Sequence, residues 1–253
     1  MWFFLVVLIL GCNPVGEQIT KYVISKNGIE VTASSRLAGA IESVTYNGVE
    51  LLVAQDHGRG LQSASSFDFK GESYNPTEAG SSDDFDKLTS TSQLLAVKVD
   101  KSLETIVQMA YWLPVEKALS DHILSKRVEI IDLNTIRYDI RFYVPKYYSY
   151  GCFEILTGYM PPYFNKFYTS DGEILSPGPG EQPLPVFFSD GELAMGVFCE
   201  GVNKYGRHDY IATMKWNAVH RQEDVKSGFY DFRCYVFVGT FKDVKEKIWE
   251  STR

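Results

Sequence analysis

The chain has 253 residues, of which 45% are hydrophobic and 23% charged, an ordinary composition for a globular fold with a sizeable core. Lys and Arg number 25 against 32 Asp and Glu, giving a formal charge of -7 and a pI of about 5.2. A chain that neutralises phosphates needs a basic stripe, so this balance argues against nucleic-acid binding. The 16 Tyr and 16 Phe suit wide, half-buried strand faces.

Trp2 to Leu10 is an unbroken apolar run ending at Gly11 and Cys12. As a helix it spans about 14 Å, too short for a bilayer core of about 30 Å. A short apolar stretch closed by a small residue is the usual form of an export signal. Residues 1–12 are therefore expected to be such a signal, and 13–253 one β-sandwich domain. Leu8-Ile9-Leu10-Gly11-Cys12 resembles a bacterial lipobox, which would make Cys12 a lipidation site and a lipid anchor the chain's one link to a membrane. A cleaved secretion signal and an ordinary buried strand remain alternatives, because no Lys or Arg precedes the run. Of the other cysteines, Cys152, Cys199 and Cys234, all three cannot pair within one chain, and their spacings match no zinc motif. Cys234 alternates with Phe232, Val236 and Val238, which reads as a buried apolar thiol.

Strand signals begin after Gln18. Tyr22–Ser25 and Ile29–Thr32 flank Lys26-Asn27-Gly28, a hairpin signature because Asn and Gly tolerate positive φ. Ala40–Tyr46, Asn47-Gly48 and Val49–Val53 repeat it. Period-two alternation runs over Ile136–Val144 and Tyr230–Val238. Leu94–Val99 and Thr105–Leu113 are apolar on both faces, as for strands covered on both sides; Ala194–Cys199 and Tyr210–Trp216 are further strands. The C-terminus reads as a helix: Thr240 and Asp243 form a cap, and Phe241, Val244, Ile248 and Trp249 share a face. Two stretches break the strand rhythm. Ala54–Gln93 is a forty-residue loop of Gly, Ser, Asp and aromatics, too long to be incidental, and Pro145–Pro185 reads as a tyrosine-rich rim. The expected architecture is a mostly-β antiparallel sandwich with a short C-terminal helix.

Leu37-Ala38-Gly39-Ala40-Ile41-Glu42-Ser43-Val44 with Asn47-Gly48-Val49-Glu50-Leu51-Leu52 is similar to the opening strands of galactose-mutarotase-like supersandwich proteins. His57-Gly58-Arg59-Gly60-Leu61-Gln62 and Asn75-Pro76-Thr77-Glu78-Ala79-Gly80 look like elements of a family of bacterial envelope proteins. Tyr159-Met160-Pro161, Ala194-Met195-Gly196-Val197 and Lys215-Trp216-Asn217 look like further elements of it. The first resemblance implies an antiparallel supersandwich with a concave sugar-binding face. The epimerase pattern of paired His and a late Glu finds no matching flanks around His122, His208 or His220.

The loop after Ala54 concentrates the polar groups that sugar chemistry needs. Arg59 offers a fork of donors for a carboxylate or paired hydroxyls. Gln62 and Asn75 both donate and accept, and His57 titrates near neutrality. The expected catalytic residues are His57, Arg59, Glu78 and Tyr159, with Gln62, Asn75, Asp83, Lys215 and Trp216 binding substrate. A lyase would use Arg59, Asn75 or Gln62 to neutralise a uronate, with His57 and Tyr159 moving protons. A glycosidase would pair Glu78 with Asp83 or Asp84, or draw on Glu154 or Glu181. The competing account of Arg59 with Glu78 or Asp83 is an ion pair that pins the loop. No cofactor or metal is expected, since HxH, HExxH and CxxC spacings are missing from the sequence. The functional expectation is an exported protein acting on a polysaccharide or oligosaccharide. Its rivals are a non-catalytic glycan-binding or structural lipoprotein, and a protein whose two long loops form a subunit contact.

Overall fold

The computed structural model describes residues 19–54, 60–80, 90–112, 119–173, 180–210 and 213–253. The export-signal segment with Cys12, and the expected site residues His57, Arg59 and Asp83, lie outside them. In the first half of the chain the strands are β1 (Lys21–Lys26), β2 (Ile29–Ser34), β3 (Ile41–Tyr46), β4 (Val49–Glu50), β5 (Leu61–Phe67), β6 (Pro76–Thr77), β7 (Gln93–Val99), β8 (Leu103–Tyr111) and β9 (Leu119–Ile130). There follow β10 (Thr135–Val144), β11 (Tyr148–Met160), β12 (Lys166–Thr169), β13 (Gly172–Glu173), β14 (Gly180–Gln182) and β15 (Val186–Ser189). The last are β16 (Leu193–Cys199), β17 (Tyr205–Tyr210), β18 (Thr213–Val225) and β19 (Gly228–Thr240), before helix α1 (Phe241–Glu250).

The pairings are antiparallel and trace two layers. One runs β1-β2-β3-β5-β11-β18-β17-β14, with β4 beside β3. The other runs β7-β8-β9-β10-β19-β16-β15-β12-β13. Their apolar faces meet: Phe153 of β11 packs on Phe142 of β10 and Phe232 of β19 with ring centroids 5.2 and 5.6 Å apart. The short β6 joins the layers, pairing with β5 through Ala64↔Thr77 and with β8 through Thr77↔Ala110.

Both hairpin signatures form as read: Asn27 and Asn47 take φ of 56° and 49°, and Gly28 and Gly48 follow at 81° and 82°. Strand β4 stops at Glu50, short of the expected Val53, because the Glu50 carboxylate collects the backbone N–H groups of Val44, Leu51 and Leu52. The expected strand Tyr210–Trp216 divides between β17 and β18. Strand β7 is an edge strand rather than one covered on both sides, and Leu95 and Val99 are exposed. In α1 the Thr240 cap accepts from Asp243 N, and Val244 and Ile248 are buried. Trp249 instead lies exposed beneath the Arg253 guanidinium.

The excursion after Ala54 is no plain loop. It contains β5 and β6, and Glu78 turns from the end of β6 into the space between the layers. There it pairs with Lys126 of β9, both side chains being fully buried. The second Glu78 oxygen accepts from Ser63 N at 3.0 Å, and Glu78 N donates to Ser63 O at 2.9 Å. Nearby Tyr138 is buried too, and burial followed by the Glu78 charge pushes its phenol well above the usual range. Cys234, read from the sequence as a buried apolar thiol, is buried but bonded to Cys199, its direct partner across β16 and β19. Closing the intervening chain, 35 residues in sequence separation, constrains the unfolded state by roughly 3–4 kcal/mol.

Removing one member of a buried ion pair strands the other charge, at a cost of about 3–5 kcal/mol. Glu78→Ala and Lys126→Ala should each lower unfolding stability by that order in urea titrations, while Glu78→Leu/Lys126→Met together recovers most of it. A double variant as unstable as the singles would refute the pairing argument.

Candidate functional site

The first layer turns one face to the core and the other outward, and the outward face of its centre is polar. Leu61, Phe67 and Phe153 point inward and are buried. Their alternation partners project outward in rows fixed by register. Thr157 of β11 lies between Gln62 of β5 and Asn217 of β18, with Gly206 of β17 beyond Asn217. Tyr159 lies opposite Lys215, and Lys215 opposite His208. Cys152 lies between Ser66 and Arg221, and Glu181 of β14 opposite Gly206.

A β-bulge between Glu154 and Thr157 makes this arrangement possible. Residues three apart on a regular strand face opposite ways; one inserted residue brings them to the same face. Ile155 and Leu156 are both buried, and the Thr157 hydroxyl donates to Glu154 Oε1. Lys215 Nζ and Asn217 Nδ2 reach that same oxygen at 2.8 and 3.1 Å. Lys215 also lies 5.4 Å from the Tyr159 ring centroid and hydrogen-bonds the phenol. The Tyr159 backbone is fixed along the edge facing β5, its N–H donating to Gly60 O and its carbonyl accepting from Val53 N. Gly206 leaves room for the Asn217 amide, since a Cβ at that position would stand 2.2 Å from Asn217 Oδ1 and displace it.

The side chains of Glu154 and Lys215 are 25% and 19% exposed, so the pair is sheltered yet reachable. Burial would raise the Glu154 carboxyl, but the Lys215 charge and the hydrogen bonds from Lys215, Thr157 and Asn217 outweigh it and bring it to about 2. Burial would lower Lys215, but Glu154 and Tyr159 hold its ammonium above the ordinary lysine range. Toward the other end of the face Arg221 grips Glu181 with two bonds of 2.5 and 2.6 Å, and these, ahead of the guanidinium charge, hold the Glu181 carboxyl down.

Of the residues expected from sequence, Tyr159 and Lys215 come together here. Gln62 borders them across Thr157, but it is nearly covered and its Oε1 accepts from Ala79 N at 3.1 Å. Trp216 points the other way: it is fully buried, with its ring against Gly158, where a Cβ would stand 2.4 Å from the indole. Glu78 lies in the interlayer core. Asn75 ends a short 3-10 turn and accepts from Trp112 N at 2.8 Å, outside the Glu154 cluster. Thr157, Asn217, His208 and Arg221 were not picked out as site residues from the sequence. For Asn217 and Arg221 the signal is the period-two spacing Lys215, Asn217, Arg221 along β18, broken only by the apolar Val219, on the face that Trp216 avoids.

No protein-family model matches the chain, and no curated protein matches it. An Escherichia coli K12 protein assigned as an aldose 1-epimerase superposes with a TM-score of 0.57 at 9% identity, over 88% of this chain and 100% of its own. The 4-alpha-glucanotransferase of Thermococcus litoralis gives 0.57 at 10% identity, over 86% of this chain and 37% of the enzyme. The Slr1438 protein of Synechocystis sp. PCC 6803 gives 0.52 at 12% identity, over 92% and 100%. The chain thus has the mostly antiparallel β-supersandwich fold of these proteins, with one short C-terminal helix among the described residues.

Because the folded Glu154 carboxyl lies below its unfolded value of about 4.3, its stabilising contribution is complete above that value and lost as pH falls toward about 2. Across that window the wild type should lose more stability than Glu154→Gln, read as the shift of the urea midpoint. Parallel acid profiles for the two would refute the assignment.

Proposed function

We propose that this protein binds an oligosaccharide or polysaccharide on the outward face of its first layer, around Glu154, Lys215, Tyr159 and Asn217. The observation that carries this reading is the convergence of donors and acceptors on one sheltered face. Glu154 accepts, Lys215 donates, and Asn217 and Tyr159 do both, which suits hydroxyl groups along a sugar. The fold's likeness to an assigned aldose epimerase and a glucanotransferase is consistent with this ligand class.

If a reaction occurs here, proton abstraction fits better than hydrolysis. A two-carboxylate glycosidase needs one carboxyl protonated at working pH. Glu154 and Glu181 are both held down by cationic partners and stay ionised. Tyr159 and His208, on either side of Lys215, are the proton carriers a lyase would use. A second reading, recognition without chemistry, draws support from the ion pairs Glu154–Lys215 and Glu181–Arg221, which neutralise the face internally.

Incubating the protein with neutral and uronate-containing polysaccharides separates these readings. Lys215→Met and Asn217→Ala should each weaken saccharide binding about tenfold, the loss of one or two hydrogen bonds, at least one of them charged in the Lys215 case. Products bearing a new double bond, lost in Tyr159→Phe, mark a lyase; new reducing ends without it mark a hydrolase; binding alone marks a receptor. Affinities unmoved by both substitutions would rule this face out.

We further propose that the protein is exported and held at the cell envelope through lipid on Cys12, as in the envelope proteins its His57–Gln62 and Asn75–Gly80 elements resemble. The apolar run before Cys12 supports this, and the Cys199–Cys234 disulfide suits an oxidising compartment. Membrane fractionation should find the native protein in the pellet and Cys12→Ser in the soluble fraction; equal partition would exclude the anchor.

A further inference from the structure

Beyond the Glu154 centre, one aromatic side chain is held in a way that packing alone does not explain. Phe69 is 80% exposed, although it sits on the turn that leaves β5, a central strand. Asp68 and Phe69 both take left-handed backbone, with φ of 51° and 52°. A bulky residue adopts that conformation only against a steric penalty, and such strain gathers where function requires it. The turn is clamped onto β11: Asp68 Oδ1 accepts from Ser149 Oγ at 2.9 Å and Tyr150 N at 3.1 Å, and Asp68 N donates to Tyr150 O at 3.0 Å. The clamp lays the Phe69 ring flat on Tyr150, with centroids 4.3 Å apart and planes 16° from parallel. One face of Phe69 is thus backed by Tyr150 while the ring as a whole is mostly open to solvent.

Tyr150 belongs to the same outward row of β11 as Cys152 and Glu154, and it lies beside Arg221 and Glu181. Four residues of strand separate it from Glu154, roughly 13 Å at the usual rise, more than one sugar ring covers. Between the two ends the face is polar and fixed by the Arg221–Glu181 pair. A pyranose presents an apolar face of C–H groups to an aromatic plane and its hydroxyls to the sides. A rigid, pre-stacked ring takes up that face with little loss of rotamer freedom.

We propose that Phe69, backed by Tyr150, is a distal stacking subsite for a sugar ring of the same chain that the Glu154–Lys215 centre holds. The ligand is then an oligosaccharide or polysaccharide lying along β11, not a free monosaccharide. This deepens the function proposed above and rests on it.

Calorimetric titration with cello-, malto- and xylo-hexaose, a uronate-containing hexasaccharide and the matching monosaccharides tests it. Against the hexasaccharide that binds best, Phe69→Ala should lose about tenfold in affinity while Phe69→Trp retains it. Monosaccharide affinity should be the same in all three proteins. Hexasaccharide binding unchanged in Phe69→Ala overturns the subsite and leaves the Glu154 face standing, provided that Lys215→Met still weakens it. A monosaccharide affinity that falls equally in Phe69→Ala also overturns it, since Phe69 would then act through the fold. If Lys215→Met has no effect while Phe69→Ala does, the aromatic site acts alone and the spanning ligand is wrong. If the wild type binds no member of the panel, the carbohydrate reading fails and takes the subsite with it.

Discussion

Two opposite charges, Glu78 and Lys126, lie sealed between the two sheets, and much of the architecture is arranged around keeping them together. Either one alone in that interior would carry a desolvation penalty of several kcal/mol. The pair offsets this only in one geometry, with Ser63 of β5 supplying a further hydrogen bond. That geometry fixes β6 against both layers and fixes β5 relative to β9. Because successive strand residues face opposite ways, a one-residue slip of β5 would exchange its inward and outward sets, turning Gln62 into the core. The buried pair therefore serves register as much as stability.

The outward face inherits that register. Glu154, Lys215 and Asn217 meet only because β5, β11, β18 and β17 hold a single alignment, modified at one point by the bulge after Glu154. Their electrostatics follow from position. A carboxylate that takes three donors on one oxygen, one of them an ammonium, stays ionised far into acid.

What the sequence disclosed follows from where hydrophobic alternation is strong. Strands β10 and β19 are interior to their layer with one solvated face, so Ile136–Val144 and Tyr230–Val238 alternate openly. Both Asn-Gly turns are legible because left-handed backbone selects those residues. Strand β5 was hidden, since Ser63, Ala64, Ser65 and Ser66 carry little hydrophobic signal, and its burial comes from neighbours that only the fold supplies. Strand β11 was obscured by Gly151 and Gly158, which mimic loop composition; Gly158 is in fact the seat of the Trp216 indole. The candidate site was half legible for a related reason. Tyr159 and Lys215 were named, but Trp216, adjacent to Lys215 in sequence, necessarily faces the opposite way on a strand. Glu154 and Thr157 share a face only through a bulge that no local pattern announces.

The bond between Cys199 and Cys234 brackets β17 and β18, and with them His208, Lys215, Asn217 and Arg221. A protease that severs any single peptide link from Glu200 to Arg233 would therefore produce a nicked molecule, not two departing pieces. Both cut ends stay tethered, and the half of the polar face carried by that segment can reseat itself without waiting for diffusion.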